Sequence, residues 1–271
     1  MVLESLFTAK KIEKNPWDML ILSVIVTLVC IYVSYVIFPE YAGIITPLLV
    51  TVAMTPIIFM VFKIDEAMER RQARQTIQKT FWDRHDETIV IFTMFFIGNF
   101  LAVFFVSLVA PQVFVTAVFS QQIDAINAIN PPVTGQFLGS GAFIGSSLLE
   151  IVLVNNLKVM FFAFLLSFLI GTGALFILSW NASILAIYLA MFVREGLYQE
   201  FLLRSLGIAP HAPIEIISYF LAGIAGGILS VGVIREKIKS RAFRLVFRDS
   251  VIMLVLAIVA VVLGAMLEVF V

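Results

Sequence analysis

The sequence predicts an all-α fold, a polytopic membrane helix bundle of about seven transmembrane helices with the N-terminus inside and the C-terminus outside. Composition is the first reason. Of 271 residues, 61% are apolar and 13% charged, against roughly 45–50% and 25% in soluble domains, and mean hydropathy is +1.06. Spacing is the second: apolar runs recur in blocks near the ~20 residues a helix needs to cross about 30 Å of hydrocarbon. Charge distribution is the third. All but three of the 18 Lys and Arg residues fall at 10–14, 63–84 and 235–248. Seven alternating spans bring these groups to one side, which the positive-inside rule makes cytoplasmic.

The seven runs are Trp17 to Phe38, Tyr41 to Phe62, Thr88 to Val109, Leu157 to Leu178, Ser183 to Leu206, Ile214 to Ile234 and Val251 to Phe270. Residues 1–62 read as a transmembrane hairpin turned at Phe38-Pro39-Glu40, where proline ends the first helix. The first run follows Lys10, Lys11 and Lys14 but is too long for the core of a signal peptide, and no small-residue cleavage site follows it, so it is expected to stay as an anchor. Pro47 and Pro56 are expected to kink the second helix. Residues 63–87 read as a charged, helical cytoplasmic connector of balanced sign, returning to the interface at Phe81 and Trp82. Residues 88–271 then supply a five-helix core.

Between Asp86 and Asn156 there is no Lys or Arg, as expected of a translocated stretch. Val113, Phe114, Ala117, Val118, Phe119, Ile123, Ile126 and Ile129 repeat at helical spacing and predict a helix on the outer interface, stopped by Pro131-Pro132. Gly135, Gly139, Gly141 and Gly145 follow at GxxxG spacings. Leu148 to Val154 is too short to span and reads as a re-entrant or interfacial leg ending at Asn155-Asn156. Asn181 is placed in a tight inner turn between the fourth and fifth spans, where Asn tolerates left-handed backbone. In the sixth span Ala222, Gly223, Ala225, Gly226 and Gly227 form a small-residue face suited to internal packing or to a homo-oligomer. After it, Ile238, Ala242, Leu245 and Val246 repeat among six basic residues. Residues 235–248 are therefore expected on the inner leaflet, with anionic lipid contributing about 1 kcal/mol per basic residue.

Polar side chains are costly to leave unpaired in lipid, so where they gather is informative. Asn155, Asn156, Lys158, His211 and Glu215 are all expected at the outer level, as a shared structural or binding cluster. Pro213 at the start of the sixth helix makes Glu215 a capping carboxylate, which accounts for it without chemistry. Arg194, Glu195, Glu200 and Arg204 are expected within the membrane as ion pairs that fix helix register, or as the lining of a polar path. No metal site or cofactor is assigned. Cys30 is the only cysteine, and His211 with Glu215 would need Glu150 or Glu200 to complete a zinc site. Zero net charge gives no electrostatic case for nucleic acid.

The string Asn155-Asn156-Leu157-Lys158-Val159, then Gly171 and Gly173, Trp180-Asn181, Pro210-His211, Glu215 and the small-residue run from Ala222 to Gly227 resembles the membrane domain of the stage II sporulation protein M family. The resemblance is specific over residues 150–232. Ala182 and Ala212 stand where the family pattern has glycine. It implies a five-helix core from Thr88 onward and a non-enzymatic role. The sporulation member is a membrane scaffold that holds cell-wall hydrolases together, so the expected partners are lipids and other membrane or envelope proteins.

Three other readings compete. Gln199-Glu200-Phe201-Leu202-Leu203-Arg204 is similar to the Glu-Glu-x-x-x-Arg helix of intramembrane proteases, but Gln199 replaces the first glutamate and the only other histidine, His85, falls in the connector. A seven-span receptor or retinal protein is disfavoured by the inward N-terminus and by the absence of lysine in the last span. A transporter or channel is the main alternative, motivated by the intramembrane charges, Pro47, Pro56 and the broken leg before Asn155.

Overall fold

The computed structural model describes residues 12, 15–74, 79–129 and 141–270. These form ten α-helices: α1 (Trp17–Ile37), α2 (Ala42–Ala73), α3 (Trp82–Val109), α4 (Gln112–Val118), α5 (Ser120–Ile129), α6 (Gly141–Ile170), α7 (Ala174–Arg194), α8 (Tyr198–Ile208), α9 (Ala212–Arg235) and α10 (Arg241–Phe270). Seven stretches, one of them Leu148–Ile170 within α6, are long and apolar enough to cross a membrane. The protein is thus a multi-pass helical membrane protein. Lys10, Lys11 and Lys14, the Pro131-Pro132 stop, and Gly135 and Gly139 lie outside the described residues.

The first hairpin turns through a 3₁₀ segment, Pro39–Tyr41. Helix α2 does not stop at Phe62. It runs on to Ala73, absorbing the first part of the expected connector into one helix of about 48 Å. Pro47 removes the amide that would bond the Gly43 carbonyl. Gln122 fills the gap, its Nε2 donating to Gly43 O at 2.8 Å, while the free Gly43 amide donates to Gln121 Oε1 at 3.0 Å. The residues after Pro111 form two short helices rather than one, and α5 clamps the start of α2 through those glutamines. Beside it Ile31, Ala42, Val103, Val118, Phe119 and Ile187 form a buried cluster.

The expected boundaries of the fourth and fifth spans are displaced. Leu148 to Val154 is no separate leg but part of the unbroken helix α6, which ends at Ile170. The reversal falls at Gly171-Thr172-Gly173, not at Asn181. Gly171 has φ +86°, a conformation that penalises any side chain. Ser167 Oγ accepts the Ala174 amide at 2.9 Å, and Thr172 bonds Thr55 of α2 at 2.7 Å. Asn181 lies inside α7, donating from Nδ2 to Ile177 O at 2.7 Å, which lets a polar residue continue the helix. Helix α7 ends at Arg194, and Gly196, at φ +73°, separates it from α8.

The small-residue face of α9 is consumed internally. Gly223 abuts Ala174, Gly226 lies against the Phe164 carbonyl of α6, and Gly227 receives the ring of Phe62. Gly226 lets α6 and α9 approach to backbone distance, the usual basis of tight packing in lipid, and Gly227 makes room for the α2 ring. Arg235 ends α9, and Arg241 begins α10, whose first turns bury Ala242, Val246 and Asp249.

Candidate functional site

Helices α2, α3, α9 and α10 bring charged residues together at one end, called here the basic end. Helix α2 presents Asp65, Glu66 and Glu69, α3 presents Arg84, His85 and Thr88, and α10 presents Asp249. All seven side chains are buried. Arg84 makes four hydrogen bonds to three acceptors: Asp249 Oδ2, bonded by Nη2 and by Nε at 3.0 Å, and the carbonyls of Lys79 and Thr80 at 2.8 and 3.0 Å. Asp249 Oδ1 accepts from Arg248, on the exposed rim, at 3.0 Å. Asp65 Oδ2 accepts the Thr88 hydroxyl at 2.8 Å and stands 3.3 Å from His85 Nδ1. Glu66 pairs with Arg70 at 2.7 Å and Arg235 at 2.9 Å, and Arg70 also meets Glu236.

Glu69 is the exception. Both its carboxylate oxygens and the Nε2 of His85 are buried with no hydrogen-bond partner among the described residues. Ligand atoms of Glu69, His85 and Asp249 lie within 4.8 Å of one another. The sequence hid this cluster because residues 63–87 look like a solvated run of balanced charge. A signal was present: Asp65 with Glu69, and Arg84 with Thr88, are i,i+4 pairs on helices leaving the membrane.

Part of the expected polar cluster forms at a second place. Asn156 Nδ2 donates to Glu215 Oε1 at 2.6 Å, and Asn156 Oδ1 accepts the Tyr219 hydroxyl at 2.9 Å. Glu268 lies beside Glu215. Asn155 reaches Asn156 only at 3.5 Å. Lys158 is exposed, His211 is half-buried, and among the described residues neither side chain makes a hydrogen bond or ion pair. Asn156 does not begin a span: α6 extends well beyond it, and it lies about 21 Å along that helix from the Gly171 turn. Tyr219 and Glu268 went unremarked in the sequence, although Tyr219 follows Glu215 by one helical turn.

The intramembrane ladder does not form. Arg194 sits at the end of α7, donating from Nη1 to the Ser107 and Ala110 carbonyls at 2.7 and 2.8 Å. It thereby caps the C-terminal carbonyls of α3. Glu195 is exposed, and Glu200 and Arg204 approach only to 3.9 Å on the surface of α8. The misplacement follows from the displaced turn, which moves α7 toward the N-terminus and leaves Glu200 on a separate helix. A cavity of about 360 Å³ lies between α7 and α8, lined by Tyr188, Glu200, Leu203, Arg204, Gly207 and Ile208.

The family model described as stage II sporulation protein M matches residues 88–271. The chain belongs to the stage II sporulation protein M family. No curated protein and no solved structure matches it. The stage II sporulation protein M match takes in Asn156, Tyr219, Glu215 and Glu268 entirely. The basic-end cluster straddles its border: Asp249 lies within the matched stretch, while Asp65, Glu69, Arg84 and His85 precede it.

Proposed function

We propose that the protein is a non-enzymatic scaffold or assembly factor for a membrane-remodelling or envelope complex, held in the cell membrane with its basic end in the cytoplasm. The carrying observation is how its polar groups are used. Among the described residues they form separate knots that tie distant helices together. Arg84 joins α3 to α10. Asn99, fully buried in α3, accepts from Thr27 of α1 at 3.0 Å and Ser179 of α7 at 2.8 Å. Asn156 joins α6 to α9. Between the basic end and Asn99 lie the buried rings of Phe92, Phe95, Phe96 and Phe220, two of them edge-on to Phe220. Polar knots separated by packed aromatic layers favour a rigid frame over a solute path. Family membership supports the same reading, as does the excess of Arg and Lys at the basic end for its orientation.

Tagged protein purified from native membranes should recover partner proteins, and proteoliposomes containing it should take up neither ions nor small solutes. Recovery of the chain alone, together with uptake above empty liposomes, overturns the proposal in favour of a transporter.

A further inference from the structure

We propose that Glu69, His85 and Asp249 bind one divalent metal ion of the zinc type. The donor set is one imidazole and two carboxylates, a combination zinc accepts at bond lengths of about 2.0–2.2 Å. His85 Nε2 stands 3.5 Å from Glu69 Oε1 and 3.5 Å from Asp249 Oδ2. That is too long for the charge-assisted hydrogen bonds a protonated imidazole would make, which run about 2.7–2.9 Å. It is close to the ~3.3–3.4 Å edge of a tetrahedron with zinc-length bonds at its centre.

Three further features point the same way. Asp65 faces His85 Nδ1, so a proton held there leaves the Nε2 lone pair aimed at Glu69 and Asp249. This carboxylate–imidazole pairing is the usual support behind a metal-bound histidine. The two Glu69 oxygens and His85 Nε2 are fully buried and make no hydrogen bond among the described residues, a costly arrangement unless a cation sits among them. Formal charge leaves room for a cation as well: three buried carboxyl side chains, Asp65, Glu69 and Asp249, face the single buried guanidinium of Arg84. Arg248, 59% exposed on the solvent side of Asp249, is screened and contributes less. Because α2 supplies Glu69 and Asp65, the site belongs to the junction between the N-terminal hairpin and the family-matched core, and it is independent of the scaffold proposal.

The test uses the full chain in detergent, stripped with EDTA, dialysed, loaded with Zn²⁺ and desalted. Elemental mass spectrometry should then find about one zinc per chain, and Zn²⁺ should raise the melting temperature, whereas Mg²⁺, which prefers octahedral oxygen ligands, should do neither. Glu69→Gln should abolish both effects while remaining at least as stable as the parent in EDTA, since it removes a buried charge. Asp65→Asn should weaken Zn²⁺ binding by about 10–100-fold. Less than about one-tenth of a zinc per chain with an unmoved melting temperature overturns the proposal whatever the variants do. Undiminished binding in Glu69→Gln overturns it as well.

Discussion

Arg84 and Asp249, 165 positions apart in sequence, meet inside the protein with Nε 3.0 Å from Oδ2 and neither side chain more than 2% exposed. The pair fastens the first helix of the family-matched core to the last. It also sits in the layer where the N-terminal hairpin joins that core, so its loss is felt on both sides of the junction.

Removing one partner of such a pair strands a buried charge. Arg84→Met should cost about 3–5 kcal/mol. The double change Arg84→Met with Asp249→Leu should cost less than the sum of the singles, because the stranded charge disappears with its partner. Denaturant unfolding of the four proteins in detergent measures this coupling; strictly additive losses would show that the pair contributes nothing jointly.

The Asn156 knot makes a graded prediction. Asn156→Ala leaves the Glu215 carboxylate and the Tyr219 hydroxyl without their partner and should cost about 1–3 kcal/mol. Tyr219→Phe removes one bond while Asn156 keeps Glu215, and should cost about 0.5–1.5 kcal/mol. Lys158→Ala and His211→Ala, whose side chains stand apart from the knot, should leave thermal stability nearly unchanged. A loss at His211 as large as at Asn156 would contradict this geometry.

Gly226 and Gly207 should respond in opposite directions to alanine. A Cβ at Gly226 falls on the Phe164 carbonyl, which belongs to helix backbone and cannot step aside. Gly226→Ala should therefore destabilise by about 1–3 kcal/mol. At Gly207 a Cβ meets no atom within 4 Å, and Gly207→Ala should be neutral or stabilise by up to about 1 kcal/mol. Thermal scans of the two variants decide.

Orientation is open to chemical labelling. In a background with Cys30 replaced by alanine, an impermeant maleimide added to intact cells should modify Gln199→Cys, on exposed α8, and not Lys239→Cys at the basic end, until the membrane is opened. The reverse pattern would invert the topology and place the Glu69 layer outside the cytoplasm.

Seven apolar spans were legible because composition and run length are read directly from residues. The first hairpin was legible because Pro39 marks its turn. The fourth and fifth spans were not divided correctly, since apolar residues continue on both sides of Gly171-Thr172-Gly173 and nothing in hydropathy distinguishes that turn from the polar Trp180-Asn181 that α7 absorbs. The error put Arg194, Glu195, Glu200 and Arg204 inside one long span, whereas α7 ends at Arg194 and Glu200 and Arg204 lie on α8. Asn156 and Glu215 were recognisable as polar residues in an apolar setting, whereas their meeting depended on how α6 packs beside α9. The His85 layer was hidden for a different reason. Its charges lie in three separate sequence segments, each of which alone resembles an ordinary solvated helix end, and only the extension of α2 past Phe62 brings them together.

That extension has a mechanical consequence. Helix α2 is a strut anchored at Gly43 by Gln121 and Gln122 of α5 and at Glu66 by Arg235 of α9, with Pro47 and Pro56 interrupting its hydrogen-bond ladder in between. A strut pinned at both tips and weakened in its middle flexes there first. A displacement at Glu66 is therefore taken up as a bend around Pro47 and Pro56 before it reaches the Gln121 contact.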